Sequence, residues 1–361
     1  MRVLHIAAGN LYGGVERIVE EVARHGGGRH EFALSFEGRL SQALNASGVK
    51  VHRLGEVRFS RPLSVWRARR RLAGVLQQTH YDVVIGHSPW AYALAAPVAR
   101  RAAISRVLWA HDAMHGRHWT ERKVARLTPE LAVCNSRFSA DALGDWLARV
   151  PLEVVYAPVS PLSADASAGR QKRRELGADG RSVVILLASR LERCKGHVEL
   201  LHAAAALRGD WTMWIAGGAQ RPRERAYEGE LRALAAALPD PRRVVFLGER
   251  TDVAALLQAA DVHCQPNTGP DAFGLAFVEA LYAGLPVVTS DLGGASEIVT
   301  PACGILIPPS DRAALVSSLQ SLIDDPGRRA ALGAAGPSRA RTLCDPGRQM
   351  SALEDALARC A

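Results

Sequence analysis

The chain has 361 residues, 48% of them hydrophobic, and a formal net charge of +9, which is too long for one ordinary core and suits two domains. No window approaches eighteen uninterrupted apolar positions, and the start MRVLHIAAG lacks the features of a signal peptide, so a cytoplasmic protein without membrane spans is expected. Six scattered cysteines (Cys134, Cys194, Cys264, Cys303, Cys344, Cys360) without a C-x-x-C read as free thiols, against a disulfide framework or a zinc ribbon.

In chain order, short apolar runs alternate with amphipathic stretches. RVLHIAA from Arg2 reads as a strand, Val15 to His25 as a helix, Phe32 to Phe36 and Val49 to Leu54 as strands, Leu63 to Gln78 as a helix and Val83 to His87 as a strand. Trp90 to Ala103, Arg106 to His111 and Leu131 to Asn135 continue the pattern, and Ser136 is placed to cap a helix over Arg137 to Leu147. From Pro158 to Gly180 Pro, Ser, Ala, Gly and charge replace periodic apolar residues, which predicts a linker or hinge. Alternation restarts with Ser182 to Ala188, His197 to Leu207, Trp211 to Ala216, Ala226 to Leu238, Val244 to Leu247 and Val253 to Ala259. Gly304 to Ile307, a helix capped by Asp311 and two helical segments between Arg328 and Cys360 complete the chain. This is the pattern of βαβ units, so two doubly wound Rossmann-like α/β domains facing across a cleft are expected. Their bounds are 1–160, a linker over 161–180, 181–340, and a C-terminal helix over 341–361 packing back towards the first domain.

Three stretches could carry chemistry. GNLYGGVER follows the first strand and opens the first helix, so Gly13 and Gly14 sit where backbone can approach a ligand closely. It is not G-x-G-x-x-G and has no acidic residue about twenty residues on, which argues against a nicotinamide cofactor. In ASRLERCKGHVEL, Arg190 and Lys195 lie on the loop after the first strand of the second domain, where a fork and a mobile point charge could stabilise a diphosphate leaving group without a metal. In DVHCQPNTGPDAFGLAFVEALYAGLPVVTSDLGGASEIV, Asp271 and Glu279 flank Gly274, which opens a helix carrying Glu279 on its second turn.

RLERCKG, the Gly217-Gly218 pair, VVFLGERTD and DAFGLAFVEALYAGLPVVTSDLGGASEIV, with YGGVER, the His111-Asp112 pair and AVCNSRFSA in the first half, together resemble the retaining, GT-B-fold glycosyltransferases of family 4. The resemblance runs from about residue 3 to about residue 310 and implies transfer of a sugar from a UDP- or GDP-linked donor to an acceptor hydroxyl, in glycan, polysaccharide or glycolipid synthesis. By the resemblance Arg190 and Lys195 would hold the donor diphosphate and Glu279 the ribose, while Phe273, Gly274 and Leu275 would present backbone amides. Gly217 and the backbone around Leu247 would line the nucleotide site, Gly14 would close the diphosphate site from the other domain, and His111 would stand at the catalytic cleft. Neither metal nor cofactor is implied beyond the nucleotide sugar itself.

Two departures stand out. The family usually has Glu-x7-Glu, whereas Asp271 is a methylene shorter; it would contact donor-sugar hydroxyls or cap the helix. APVSP at Ala157 replaces a common Asn-Gly pair. His111, His115 and His118 form H-x3-H-x2-H, but Gly116 interrupts them and fixed cations are available instead, so no metal site is expected.

The charge is uneven: residues 1–160 hold 22 Lys+Arg against 13 Asp+Glu, and residues 161–361 hold 23 of each. RFSRPLSVWRARRRL, from Arg58, has six Arg in fifteen residues and suits an anionic membrane surface, a lipid-phosphate acceptor, an acidic saccharide or a solvated helix face. No nucleic-acid motif accompanies it. Acceptor candidates are therefore a glycan, a lipid-linked or a small molecule, with association at the inner face of a membrane. The rivals are another GT-B-type enzyme, such as a sugar-nucleotide epimerase or disaccharide phosphorylase, and a non-catalytic polyanion-binding or membrane-binding module.

Overall fold

The structure, a computed structural model, describes residues 1–162, 166–178, 180, 182–219 and 221–361. It divides into two compact units: Met1–Ser160 with Cys344–Ala361, and Pro161–Leu343.

Among the described residues the first unit has seven strands: β1 Val3–Ala7, β2 His30–Leu34, β3 Val51–Arg53, β4 Val83–Gly86, β5 Ser105–Ala110, β6 Leu131–Cys134 and β7 Leu152–Val154. The second has six: β8 Val183–Ala188, β9 Trp211–Ala216, β10 Val244–Gly248, β11 Val262–Gln265, β12 Val287–Ser290 and β13 Gly304–Ile307. The sheet orders are β3-β2-β1-β4-β5-β6-β7 and β10-β9-β8-β11-β12-β13, and every described strand pair is parallel. Each sheet is thus doubly wound, and the chain has the GT-B fold class. The order reverses between β1 and β4 in one unit and between β8 and β11 in the other, and ligands of such sheets bind beyond the carboxyl ends of the strands there.

Parallel strands covered on both faces must be apolar throughout, as VVILLA of β8 is. In the first unit Leu4, Ile6, Ala33 and Val84 form one face and pack on Val65, Ala68 and Leu72 of the helix Pro62–Gln78. Full burial of a side chain such as Leu72 contributes about 1.5–3 kcal/mol. The helix Pro346–Ala358 buries Leu353 and Leu357 and lies against the helix Gly14–His25; Arg29 donates to Glu354 and Arg359 to Glu153.

The stretch 161–180 departs from the expected hinge: Ala166–Glu175 is a helix and belongs to the second unit. Its lack of apolar periodicity concealed it, because polar ties hold it. Arg173 donates to the Ala259 carbonyl and to Asp261, each at 2.9 Å. Lys172 lies 2.9 Å from Asp252. Gly169 approaches the Gln258 carbonyl so closely that an added Cβ would lie 2.7 Å from its oxygen. Residues 163–165 and 179 of the expected linker lie outside the described residues. The helices Arg39–Ala46 and Trp119–Leu127 and the short strand β7 were also absent from the expected elements. Among the described residues no helix is long and apolar enough to cross a membrane.

Candidate functional site

In the second unit, β8 delivers Ser189 and Arg190 to the carboxyl end of the sheet at its reversal point. A single 3-10 turn, Arg193–Lys195, follows, and Gly196 takes the left-handed conformation (φ +77°) before the helix His197–Ala204. Gly196 packs on Pro266, just beyond β11: a Cβ there would stand 2.5 Å from the Pro266 carbonyl carbon and closer still to its oxygen. The two loops are also bonded. The Thr268 amide donates to the Cys194 carbonyl at 2.9 Å and its hydroxyl to the Arg193 carbonyl at 3.3 Å. This frame aims Lys195 at Asp271, with Nζ donating to Oδ2 at 2.5 Å; both side chains are about one-fifth exposed. Arg190, on the same loop, pairs instead with Glu192 at 2.6 Å.

The Asp271 loop rests on two glycines whose part the sequence did not disclose. Asp271 bridges to Gly293, and the Gly294 amide donates to the Asp271 carbonyl at 2.8 Å. A Cβ on Gly294 would lie 2.5 Å from the Ala272 oxygen, so the loop can settle only on bare backbone. Gly274 then adopts φ +106° and opens the helix Leu275–Tyr282, next to the buried Phe273; Glu279 is buried on the second turn. The first amides of such a helix have no intrahelical partner and carry the positive end of its dipole. A cation and a helix N-terminus on neighbouring loops are suited to an anion.

Gly217 has a packing duty: its amide donates to the Gly248 carbonyl at 2.8 Å, and a Cβ would collide with Ser189. Leu247 falls at a register shift in β10, where Phe246 pairs with Ile215 and Gly248 with Ala216, leaving Leu247 outside the ladder. A bulge of this kind frees backbone polar groups at a strand's end.

In the first unit, Gly13 caps the helix that Gly14 begins, and its amide donates to Glu16 at 2.9 Å. His111 follows β5, buried, with its carbonyl accepting from Asn135 at 3.3 Å. Its Nε2 lies 2.9 Å from Nδ1 of His87, whose Nε2 lies 2.9 Å from Nδ1 of His5, whose Nε2 lies 2.9 Å from Nδ1 of His30. Burial above all pushes His111 down to about 3 and takes His5 and His87 well below the usual histidine value, with the neighbouring imidazoles adding to the effect on those two. The other histidines of the H-x3-H-x2-H run are placed differently. His118 caps the helix Trp119–Leu127 and accepts from the Thr120 amide, and His115 is exposed. Among the described residues no three His, Cys, Asp or Glu side chains gather as metal ligands.

The arginine-rich stretch forms the helix Pro62–Gln78, and its cations divide into two kinds. Pro97, inside the helix Pro89–Arg101, cannot donate to the Ala93 carbonyl, and Arg69 replaces that donor at 2.9 Å while also reaching the Leu94 carbonyl at 3.1 Å. Arg71 donates to the Leu54 carbonyl at 3.0 Å. Arg58, Arg61, Arg67 and Arg70 are exposed, with Leu63 and Trp66 beside them. Between this helix and Pro89–Arg101 runs a groove of about 860 Å³, lined by Phe59, Val65, Trp66, Arg70, Arg101 and Lys123 among others.

Residues 12–161 match the Glycosyltransferase Family 4 model and residues 169–339 the Glycosyl transferases group 1 model. A GDP-mannose-dependent monoacylated alpha-(1-6)-phosphatidylinositol monomannoside mannosyltransferase of Corynebacterium glutamicum is 37% identical over 192 residues, covering 50% of this chain and 47% of that one. A phosphatidyl-myo-inositol mannosyltransferase of Mycobacterium leprae is 33% identical, covering 62% and 56%. The chain thus spans about half the length of the curated relatives it matches. Among solved structures, Anabaena HepE in complex with UDP and glucose superposes with a TM-score of 0.87 at 25% identity, covering 99% of both chains. WaaG, a glycosyltransferase involved in lipopolysaccharide biosynthesis, superposes at 0.73 and 17% identity over 100% of both, which speaks to fold alone. One glycosyltransferase domain model is thus matched on each unit, Glycosyltransferase Family 4 on the first and Glycosyl transferases group 1 on the second, in a chain of GT-B fold.

Proposed function

We propose that the protein transfers a sugar, with retention and without a metal, from a UDP- or GDP-linked donor to a hydroxyl of an anionic lipid or glycan acceptor. What carries this is the pairing of Lys195 with Asp271 beside the Gly274 helix N-terminus, at the reversal point of the second sheet. The bond from the anomeric carbon to the diphosphate breaks with its electron pair going to phosphate oxygen, so negative charge grows there. Lys195, Arg190 and the Gly274–Leu275 amides would meet that charge more strongly in the transition state than in the ground state. The acceptor oxygen bonds to the anomeric carbon on the same face, and its proton passes to the departing phosphate oxygen. Asp271 would take donor-sugar hydroxyls, Glu279 the ribose, the freed backbone at Leu247 the base, and His111 the transferred sugar or the reacting oxygens. Two relatives are named for phosphatidylinositol-type acceptors and one structural neighbour holds UDP and glucose, which supports both substrate classes. The exposed arginines with Leu63 and Trp66 suit an anionic membrane face, and hence a peripheral site at the inner membrane surface.

The test is Lys195→Ala. It should lower kcat by about 10²-fold or more, as loss of one preorganised charge partner does, and weaken nucleoside diphosphate binding far less. A folded Lys195→Ala protein with wild-type turnover would refute the leaving-group role.

A further inference from the structure

His111, His87, His5 and His30 form one continuous file on a single face of the first sheet. Alternation along the strands puts them there: His5 pairs in register with Phe32, two residues beyond His30, while His87 and His111 follow β4 and β5 at even spacing from Ile85 and Trp109. The file runs obliquely from the amino end of β2 to the carboxyl ends of β4 and β5. At its far end His30 Nε2 lies 3.6 Å from a Glu354 carboxylate oxygen, and Arg29 anchors that carboxylate at 3.2 Å. At its near end His111 Nδ1 is buried and has no partner among the described residues.

A neutral imidazole has one N–H and one lone pair. In a file of neutral imidazoles joined nitrogen to nitrogen, the orientation of one ring therefore fixes all the others. Glu354 offers only acceptors, so a lone pair on His30 Nε2 would face a carboxylate, whereas an N–H there is attracted to it. With His30 as the Nε2–H form, its Nδ1 accepts from His5 Nε2–H, His5 Nδ1 accepts from His87 Nε2–H, and His87 Nδ1 accepts from His111 Nε2–H.

We infer that Glu354, acting through His30, His5 and His87, fixes His111 as its Nε2–H tautomer, so that Nδ1 presents a lone pair to a ligand hydroxyl. His30, His5 and His87 are then positioning residues, touching no substrate. Burial, which keeps His5, His87 and His111 uncharged, preserves the one-proton-per-ring condition the relay needs. The stacking of Trp109 on His87 and His111, with ring centroids 5.2 and 5.3 Å apart, holds the rings in line. The ligand, on the function proposed above, is a hydroxyl of the donor sugar or acceptor.

The experiment uses the full-length protein with nitrogen-labelled histidine and reads tautomers from long-range proton–nitrogen correlation spectra, His111 being assigned by the signal lost in His111→Asn. Wild type should show His111 as Nε2–H. Glu354 is about one-third exposed, so Glu354→Gln should fold; it should move His111 to a mixture of tautomers and lower kcat on the order of tenfold, with the donor KM unchanged. Glu354→Asp should restore both readouts. His5→Phe, checked for folding by circular dichroism, should break the file and give the same mixture. An Nδ1–H His111 in wild type, or a His111 tautomer indifferent to Glu354→Gln, overturns the relay. A tautomer that responds in a protein transferring no sugar from any nucleotide donor supports the relay and refutes the proposed function instead.

Discussion

Gly196→Ala tests whether the frame around Lys195 matters as much as its charge. Two effects combine there. The left-handed conformation disfavours a β-carbon by about 1–2 kcal/mol, and that carbon would lie 2.5 Å from the Pro266 carbonyl carbon, backbone rather than a flexible tip. Carbon contacts are comfortable at about 3.5–4.0 Å, so the Arg193–Lys195 turn must retreat from Pro266 by on the order of 1 Å. The Thr268 bonds to the same turn would stretch with it, and Lys195 would leave its position against Asp271. A displacement of that size in a positioning element costs on the order of 10²-fold in rate. The assay is release of nucleoside diphosphate from a nucleotide sugar with acceptor, run beside isothermal binding of the diphosphate. We expect kcat to fall by that factor while the protein remains folded. A Gly196→Ala protein with wild-type kcat and a wild-type unfolding midpoint would show that the contact with Pro266 does not position Lys195.

Two other outcomes follow from the same geometry. Because His111 is held near 3 when folded and titrates near 6.5 when unfolded, the unfolded chain binds more protons between those values. Stability should therefore be complete above pH 6.5 and fall as the solution is acidified, His111 alone contributing a loss of about 1 kcal/mol between pH 6.5 and 5.5. His5 and His87 act in the same direction; urea unfolding across that range would check it, and a flat profile would contradict it. Cys194 is the exposed thiol between Arg193 and Lys195, whereas Cys134, Cys264, Cys303 and Cys344 are buried. Iodoacetamide should alkylate Cys194 ahead of those four, with loss of activity, and nucleoside diphosphate should slow the reaction; peptide mapping would reveal any other order.

Much of the fold could be read from the sequence because apolar periodicity is local. Trp211–Ala216, Val253–Ala259 and Gly304–Ile307 occur with the limits expected for them. Elements held by other means escaped: the helix Ala166–Glu175 has charged ties instead of an apolar stripe, and β7 is three residues of half-buried edge. The site divides in the same way. Arg190, Lys195 and Asp271 stand out as charges on loops between strands and helices, and Glu279 as a lone charge within an apolar helix, so their neighbourhood is visible in the chain. The support of Gly293 and Gly294 beneath Asp271, the Leu247 bulge and the histidine file depend on register between distant strands, which no single stretch encodes. His5 and His87 sit in runs such as VLHIA and VVIGH, where a lone histidine reads as an ordinary core residue.

The Lys195–Asp271 ion pair makes this corner of the second unit self-neutralising. Asp271 acts as a resident counter-ion to the ammonium. On the function proposed above, binding the donor would be an exchange of one anion for another: the incoming diphosphate would have to win Lys195, and in doing so would release a carboxylate beside it to take up sugar hydroxyls. A bare diphosphate takes the cation but gives that carboxylate nothing to hold, so the pocket would distinguish a charged donor from a spent one by whether the displaced anion finds new work.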